Sequence, residues 1–201
     1  LYPDATAVWA NNQAEVTAPG LKLCIKPEAK YIVANGRYLY VPNGVKVDGT
    51  HILVPVRTLC QALGATVTWD ATTSVISITA GTGPIASGDS FYNADDLYWL
   101  SRIIYAESGN QSLEGKIAVG NVVLNRVASS KFPNSVYDVI FQRNQFTPAS
   151  SGSIKRTPSE EAVIAAKLCL DGANTAGNAL YFVNPRASPN SWAARNCTYV
   201  A

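Results

Sequence analysis

Residues 95–127 read DDLYWLSRIIYAESGNQSLEGKIAVGNVVLNRV, and this stretch decides how the second half of the chain folds. At about 100° per residue, four of its side chains share one face of a helix: Leu97, Leu100, Ile104 and Glu107. Ile103 lies beside this face. The pattern therefore places the carboxylate of Glu107 where an apolar side chain is otherwise found.

A second helix is predicted directly after this one. Gly109 and Asn110 end the first helix, Ser112 can cap the next, and residues 113–127 are apolar on nearly every face, which indicates a buried helix. A carboxyl group backed by a buried helix loses contact with water, so its pKa rises and it can act as a general acid near neutral pH. The alternative interpretation is that Glu107 reaches solvent at a fraying helix end.

Composition limits the classes of function. The 201 residues can hold one large or two small domains. Only 15% of them are charged, the net charge is +2, and no Lys/Arg stripe is present, so we expect no nucleic-acid partner. The sequence contains no run of eighteen apolar residues, so no membrane span is predicted. Because Met is absent even at position 1, we expect that a secretory signal has been removed, and the low charge supports a secreted protein.

The four cysteines fall two in each half of the chain. Only the pairing of Cys24 with Cys60 and of Cys169 with Cys197 keeps each bridge within one half, and we predict these disulfides. The alternative is that the thiols are free, since Cys60 also fits as a small core residue of a helix.

The first half has the pattern of a small α+β unit rich in hairpins. Asn35-Gly36 stands between two β-rich runs, and Asp48-Gly49 predicts a second turn. Residues 1–19 are weakly patterned, although Ala7–Trp9 could add an edge strand. The other predicted elements are the strands Leu21–Ile25, Thr66–Trp69 and Ser74–Thr79, and a helix from Arg57 to Leu63 closed by Gly64.

Residues 45–79, VKVDGTHILVPVRTLCQALGATVTWDATTSVISIT, resemble the copper amine oxidase N-terminal-like domain. The resemblance implies a non-catalytic spacer or wall-attachment module. The only His of the chain is His51, without Cys or Met placed for copper, so we expect no metal and no other cofactor. Residues 80–94, AGTGPIASGDSFYNA, lack periodicity and are rich in Gly, Ser and Ala. We therefore predict a first domain over 1–80, a linker over 81–94 and a second domain over 95–201.

Further elements are predicted in the second domain. Val136–Phe141 has the pattern of a short helix. Residues 157–160, Thr-Pro-Ser-Glu, form a capping box that opens a helix running to about Leu170. Ala179–Val183 has the pattern of a strand. The fold class is therefore α+β, with a small hairpin-rich N-terminal domain and a mainly α C-terminal domain.

Several short motifs follow one another along the second domain: YAES at 105–108, Gly115, LNR at 124–126, Phe132-Pro133, DVI at 138–140, Gln145-Phe146, ALYFVNP at 179–185 and Trp192. In their identity and order they resemble the cell-wall hydrolase family of SleB and CwlJ. The resemblance implies a lysozyme-like fold, action on spore-cortex peptidoglycan, and Glu107 as the catalytic acid/base.

A single acid needs neighbours that hold the sugar and exclude bulk water. We predict that the substrate-binding residues around Glu107 are Tyr105, Ser108, Gln145, Phe146, Tyr181, Asn184 and Trp192. The alternative for the aromatic members is core packing.

The reaction can be narrowed by elimination. One His, in the first half, disfavours a zinc amidase and a Ser-His or Cys-His site. A glycosidase usually needs two carboxylates, but a lytic transglycosylase needs one, because the muramyl 6-hydroxyl supplies the attacking oxygen. We therefore expect a secreted, monomeric lytic transglycosylase of the cell wall or spore envelope, cutting the MurNAc–GlcNAc bond of peptidoglycan glycan strands. A hydrolytic muramidase, an N-acetylmuramoyl-L-alanine amidase and a non-catalytic wall-binding protein remain as alternatives.

Overall fold

The structure, a computed structural model, describes residues 2–182. The chain divides into two compact units, Leu1–Phe91 and Tyr92–Ala201. The predicted α+β class is confirmed, because the first unit is built mainly from strands and the second from helices. No helix within residues 2–182 has both the length and the apolar character to span a bilayer.

The first unit is organised around a five-stranded antiparallel sheet in which each strand pairs with the next along the chain. Residues alternate between its two faces, so Leu21, Leu23 and Ile25 are buried whereas Lys22 is exposed. The strands are β1 Thr6–Ala10, β2 Gln13–Ala18, β3 Leu21–Ile25, β4 Tyr31–Ala34 and β5 Arg37–Tyr40.

Asparagine residues make the turns of two hairpins in this sheet. Asn35 and Gly36 have φ of 50° and 78°, as the predicted two-residue turn requires. Asn11 and Asn12, with φ of 52° and 57°, connect β1 to β2 in the same way. Residues 1–19 thus contain a whole hairpin instead of the single edge strand that we predicted. Asn tolerates left-handed backbone better than most residues, and this pair was the available signal.

The remaining elements of the first unit are β6 Lys46–Asp48, β7 His51–Leu53, α1 Val56–Ala62, β8 Thr66–Asp70, β9 Val75–Thr79 and α2 Gly88–Phe91. The start of the predicted linker packs against this unit. Gly64 lies so close to Gly83 that a Cβ on Gly64 would be 1.7 Å from the Gly83 carbonyl oxygen. Asn35 donates its side-chain N–H to the carbonyl of Ile85, and its own carbonyl accepts the N–H of Gly88. These contacts hold residues 83–88 against the first unit. Composition alone assigns the same residues to the linker.

The predicted bridge between Cys24 and Cys60 is wrong, since both thiols are free. Alternation along β3 turns Cys24 away from the face that carries Leu23 and Ile25. Helix α1 packs against that core face through Leu59 and Leu63. Cys169 is also free and buried, and Cys197 lies outside the described residues.

Three helices form the core of the second unit, and each packs against the other two: α3 Ala94–Ser108, α4 Leu113–Val127 and α7 Glu160–Leu170. Around them lie α5 Val136–Phe141, α6 Thr147–Ser151 and a 3₁₀ helix at Ser153–Lys155. Helix α4 begins at the predicted cap, because the side chain of Ser112 accepts the N–H of Gly115. Helix α3 is capped by Asn93, whose side chain accepts the N–H groups of Asp95 and Asp96.

Two predictions for the second unit are wrong. Helix α7 is capped by Ser159, which accepts the N–H of Ala162, and not by Thr157, because Ser159 stands next to the helix and caps equally well. Residues 179–182 form no strand, and Val183 lies outside the described residues. The carbonyls of Ala179 and Leu180 accept bonds from side chains of α4 instead of from a neighbouring strand.

Candidate active site

Glu107 occupies the last turn of α3, at the end of its apolar face. Leu100 and Ile104 on that face are fully buried, and Glu107 itself is half-buried. Burial raises the pKa of the Glu107 carboxyl above its usual value. Gly109, with a φ of 47°, ends the helix immediately afterwards. The structure therefore gives Glu107 the partly desolvated position that the helical pattern predicts.

A cleft of about 240 Å³ lies at this end of α3. Tyr105, Ala106, Gly109 and Asn110 line it from the end of α3, and the other lining residues are Ser153 and Arg156. Sequence reasoning missed Ser153 and Arg156. The only available signal was a lone basic residue in a loop, which is too common to indicate a site. Glu107 is not among the residues that line this cleft.

Ser108 is placed differently from the sugar contact that we predicted. It is 3% exposed, and its hydroxyl donates to the carbonyl of Ile104 one turn earlier. That contact is a common use of a helical Ser, and it turns the hydroxyl inward. Its burial disfavours the sugar-binding role, which stays a prediction.

Phe146 and Tyr181 come together around the guanidinium of Arg126. The Arg126 Cζ lies 5.1 Å from the ring centroid of Phe146 and 5.3 Å from that of Tyr181. The ring of Phe132 is 4.9 Å from the same atom and 6.3 Å from the Tyr181 ring. Phe146 is buried, whereas Tyr181 is 45% exposed and can present a ring to a ligand. Arg126 and Phe132 belong to motifs noted in the sequence, but their contact with the predicted residues is a result of the fold.

The remaining predicted binding residues are Gln145, Asn184 and Trp192. Gln145 is exposed, immediately before the buried Phe146. Asn184 and Trp192 lie outside the described residues. The structure thus unites Phe146 with Tyr181 and sets Tyr105 beside a cleft, while the roles of all seven residues stay predictions.

The carboxyl of Asp96, in the same helix as Glu107, also has a raised pKa. Burial, and then the nearby charge of Asp95, raise the pKa of Asp96. Asp96 is at the other end of α3, eleven residues before Glu107, which corresponds to about 16 Å along a helix. Paired glycosidase carboxyls are about 5 to 10 Å apart, so these two acids do not form such a pair.

Within residues 2–182, no group of three or more His, Cys, Asp or Glu side chains is arranged to hold a metal ion. The described residues of this unit thus offer a partly buried acid at the end of α3 and a guanidinium among aromatic rings at Arg126.

Residues 110–201 match the family described as Cell Wall Hydrolase. This segment of the chain belongs to the cell wall hydrolase family. The matched segment includes α4, α7, Arg126 and Tyr181, and it begins just after Glu107. Residues 4–83 match a second family, described as Copper amine oxidase N-terminal domain. Both resemblances found in the sequence are thus confirmed.

The cell wall hydrolase segment is similar to spore cortex-lytic enzymes. The Bacillus cereus enzyme is 39% identical over 101 residues, which are 50% of this chain and 39% of that protein. The Oceanobacillus iheyensis enzyme is 34% identical over 114 residues, or 57% of this chain and 41% of that protein. The chain thus spans about two fifths of these relatives.

Among solved structures, the catalytic domain of the germination-specific lytic transglycosylase SleB from Bacillus anthracis is 37% identical. The match covers 54% of this chain and 86% of that domain, with a TM-score of 0.48.

Proposed function

We propose that this protein cleaves the MurNAc–GlcNAc glycosidic bond of peptidoglycan as a lytic transglycosylase. Membership of the cell wall hydrolase family and the names of the spore cortex-lytic relatives support a peptidoglycan substrate. The protein acts outside the cytoplasm, in the cell wall or the spore envelope. The first unit serves as a spacer or a wall-attachment module, and the enzyme works as a monomer without a cofactor.

The observation that carries this proposal is the half-buried Glu107 at the end of α3, whose pKa is raised by burial. A carboxyl group with a raised pKa keeps its proton closer to neutral pH, so it can protonate the oxygen of a leaving sugar. Helix α3, which carries Glu107, packs against the largely buried helix α4.

The reaction needs only this one acid. Glu107 donates its proton to the glycosidic oxygen as the bond from that oxygen to C1 of MurNAc breaks. The 6-hydroxyl of the same MurNAc attacks C1, and its proton passes to the Glu107 carboxylate, which restores the acid. The products are a 1,6-anhydro-muramyl end and a new GlcNAc end, and no water is consumed.

The distribution of the other acids supports this route over hydrolysis. Asp96 is too far along α3 to activate a water on the same sugar. Asp138 is exposed and bonded to Ser135, and Glu161 pairs with Lys116 at 2.8 Å. Glu114, in the first turn of α4, is the acid nearest to Glu107 along the chain, and it is the one to test.

Three variants test the proposal on purified peptidoglycan, with the released muropeptides identified by mass spectrometry. Glu107→Gln retains the shape of the side chain but cannot deliver a proton, so release is expected to fall by about 10² to 10⁴-fold. Glu160→Gln, an exposed substitution in the first turn of α7, is the matched control and is expected to retain activity. Glu114→Gln is also expected to remain active.

The products separate the mechanisms. Anhydro-muramyl ends are expected from the unmodified protein. Reducing muramyl ends together with an inactive Glu114→Gln variant would replace transglycosylation with hydrolysis by two acids. Free stem peptides would indicate an amidase, and an active Glu107→Gln variant would reject the role of Glu107.

A further inference from the structure

Helix α4 holds the segment that follows α7 through the side chains of two asparagines. Asn121 donates to the carbonyl of Ala173 at 2.7 Å and accepts the N–H of Thr175 at 2.9 Å. One turn later, Asn125 donates to the carbonyls of Gly177 and Ala179, both at 2.9 Å. Residues 173–179 have no strand or helix of their own, so these side chains supply partners that secondary structure otherwise gives.

Arg126 extends this attachment to the end of the segment. Its Nε donates to the carbonyl of Leu180 at 2.8 Å, directly before Tyr181. The side chain is 4% exposed, and no acidic residue within 2–182 forms an ion pair with it. Burial lowers the pKa of the Arg126 guanidinium, although far from enough to discharge an arginine. Three aromatic rings surround the cation instead of a carboxylate: Phe132, Phe146 and Tyr181.

This arrangement fixes a partly exposed ring through a buried cation. Ring faces attract a guanidinium, and the planar Arg group can stack on a ring while it donates a hydrogen bond in its own plane. The Leu180 carbonyl therefore sets the position of the backbone next to Tyr181, and the guanidinium sets the position of its ring. Lys has the charge of Arg but neither the plane nor the Nε–H.

We propose that Arg126 is a positioning residue that holds Tyr181 in place to bind a sugar ring of the glycan strand. This inference rests on the proposed function for the identity of the ligand. Arg126 acts through Tyr181, and its own guanidinium remains buried when glycan binds. Asn125 supports the same segment from one residue earlier in α4.

The test measures binding without cleavage, in the full chain carrying Glu107→Gln. The probe is a soluble glycan fragment of alternating GlcNAc and MurNAc, titrated by calorimetry into this parent and into three further variants: Arg126→Lys, Tyr181→Ala and the combination of the two. Each single change is expected to raise Kd roughly tenfold, as for the loss of one aromatic contact with the ligand. The combination is expected to bind no more weakly than Tyr181→Ala alone, because the two residues act through one contact.

Hydrogen exchange of the backbone amides supplies a readout that does not depend on glycan. Arg126→Lys is expected to accelerate exchange over residues 177–182 and to leave α3 and α7 protected. Asn125→Ala, which removes the bonds to Gly177 and Ala179 without touching the rings, is expected to accelerate the same amides.

Independent, multiplying effects on Kd in the combined variant would overturn the proposal, as would an unchanged Kd in Arg126→Lys or unchanged exchange over residues 177–182. Failure of the parent to bind glycan would overturn it as well. Failure of the proposed function is read separately, from muropeptide release by the unmodified protein, so a protein that binds glycan through Tyr181 without cutting it would refute only the catalytic proposal.

Discussion

Gly120 lies where α4 packs most closely against its two partner helices, and Gly120→Ala tests that packing. A Cβ at this position would lie 2.6 Å from the Sγ of Cys169 in α7 and 2.9 Å from the Cδ1 of Ile104 in α3. Carbon and sulfur atoms in ordinary contact are about 3.5 to 4 Å apart, so the helices would have to separate by roughly 1 Å. All three residues are buried, so the added methyl group has no route to solvent.

The expected change in the free energy of unfolding of Gly120→Ala follows from two opposing effects. Ala is better than Gly inside a helix by about 1 kcal/mol, and overpacking a core costs about 1 to 3 kcal/mol. With two contacts below 3 Å, we expect the steric cost to dominate and the free energy of unfolding to fall by about 1 to 2 kcal/mol. For a unit of the size of Tyr92–Ala201, each kcal/mol lowers Tm by about 4 °C.

Thermal unfolding followed by circular dichroism at 222 nm measures this loss in the helical unit. Gly115→Ala in the same helix is the matched control, because its Cβ would lie 3.0 Å from the Cβ of the exposed Gln111, so relief needs a shift of only a few tenths of an ångström. Cys169→Ala removes the closest atom, so Gly120→Ala is expected to cost less in that background. A Gly120→Ala variant as stable as the unmodified protein, or an equal loss in both backgrounds, would refute the close packing of α4 on α7.

Two further predictions concern the pH dependence and the domain boundary. Because burial raises the pKa of Glu107, the folded protein binds its proton more tightly than the unfolded chain, and the stability linked to this proton is lost as pH rises through the raised pKa. The Tm of Glu107→Gln relative to the unmodified protein should therefore increase with pH over this range while kcat/KM of the unmodified protein falls, and a flat difference in Tm would contradict the desolvation of Glu107. We also predict that limited proteolysis leaves two resistant fragments and cuts within residues 81–94 chiefly after residue 88, because residues 83–88 are held by the first unit. Cleavage mainly within 20–79 would argue against two independent folds.

Local patterns in the sequence predicted much of the fold. The apolar spacing located α3 and α4, Asn35-Gly36 located a hairpin, and Ser112 marked the start of α4. Each of these signals acts within a few residues, through backbone preference or through the face of one helix. The position of Glu107 was predictable for the same reason, since its burial follows from the apolar face of its own helix.

Predictions that depended on partners distant in the chain were less reliable. The Cys24–Cys60 bridge belonged to the only pairing that keeps each bridge within one half of the chain. Alternation along β3 nevertheless turns Cys24 away from the core face against which α1 packs. The strand predicted at 179–183 had suitable residues but pairs with no strand within the described residues. Side chains of α4 donate hydrogen bonds to the carbonyls of Ala179 and Leu180 instead.

The sequence by itself therefore predicted the two-part organisation suggested by its two family resemblances, the helices α3, α4, α5 and α7, and the acid at the end of α3. Only the tertiary structure decided that Arg126 stands among three aromatic rings, that Asn121 and Asn125 hold the segment after α7, and that Ser108 turns inward. The physical reason is that helix periodicity is a property of neighbouring residues, whereas a buried cation and an asparagine amide are satisfied by whichever carbonyls and rings the packing of distant segments brings to them.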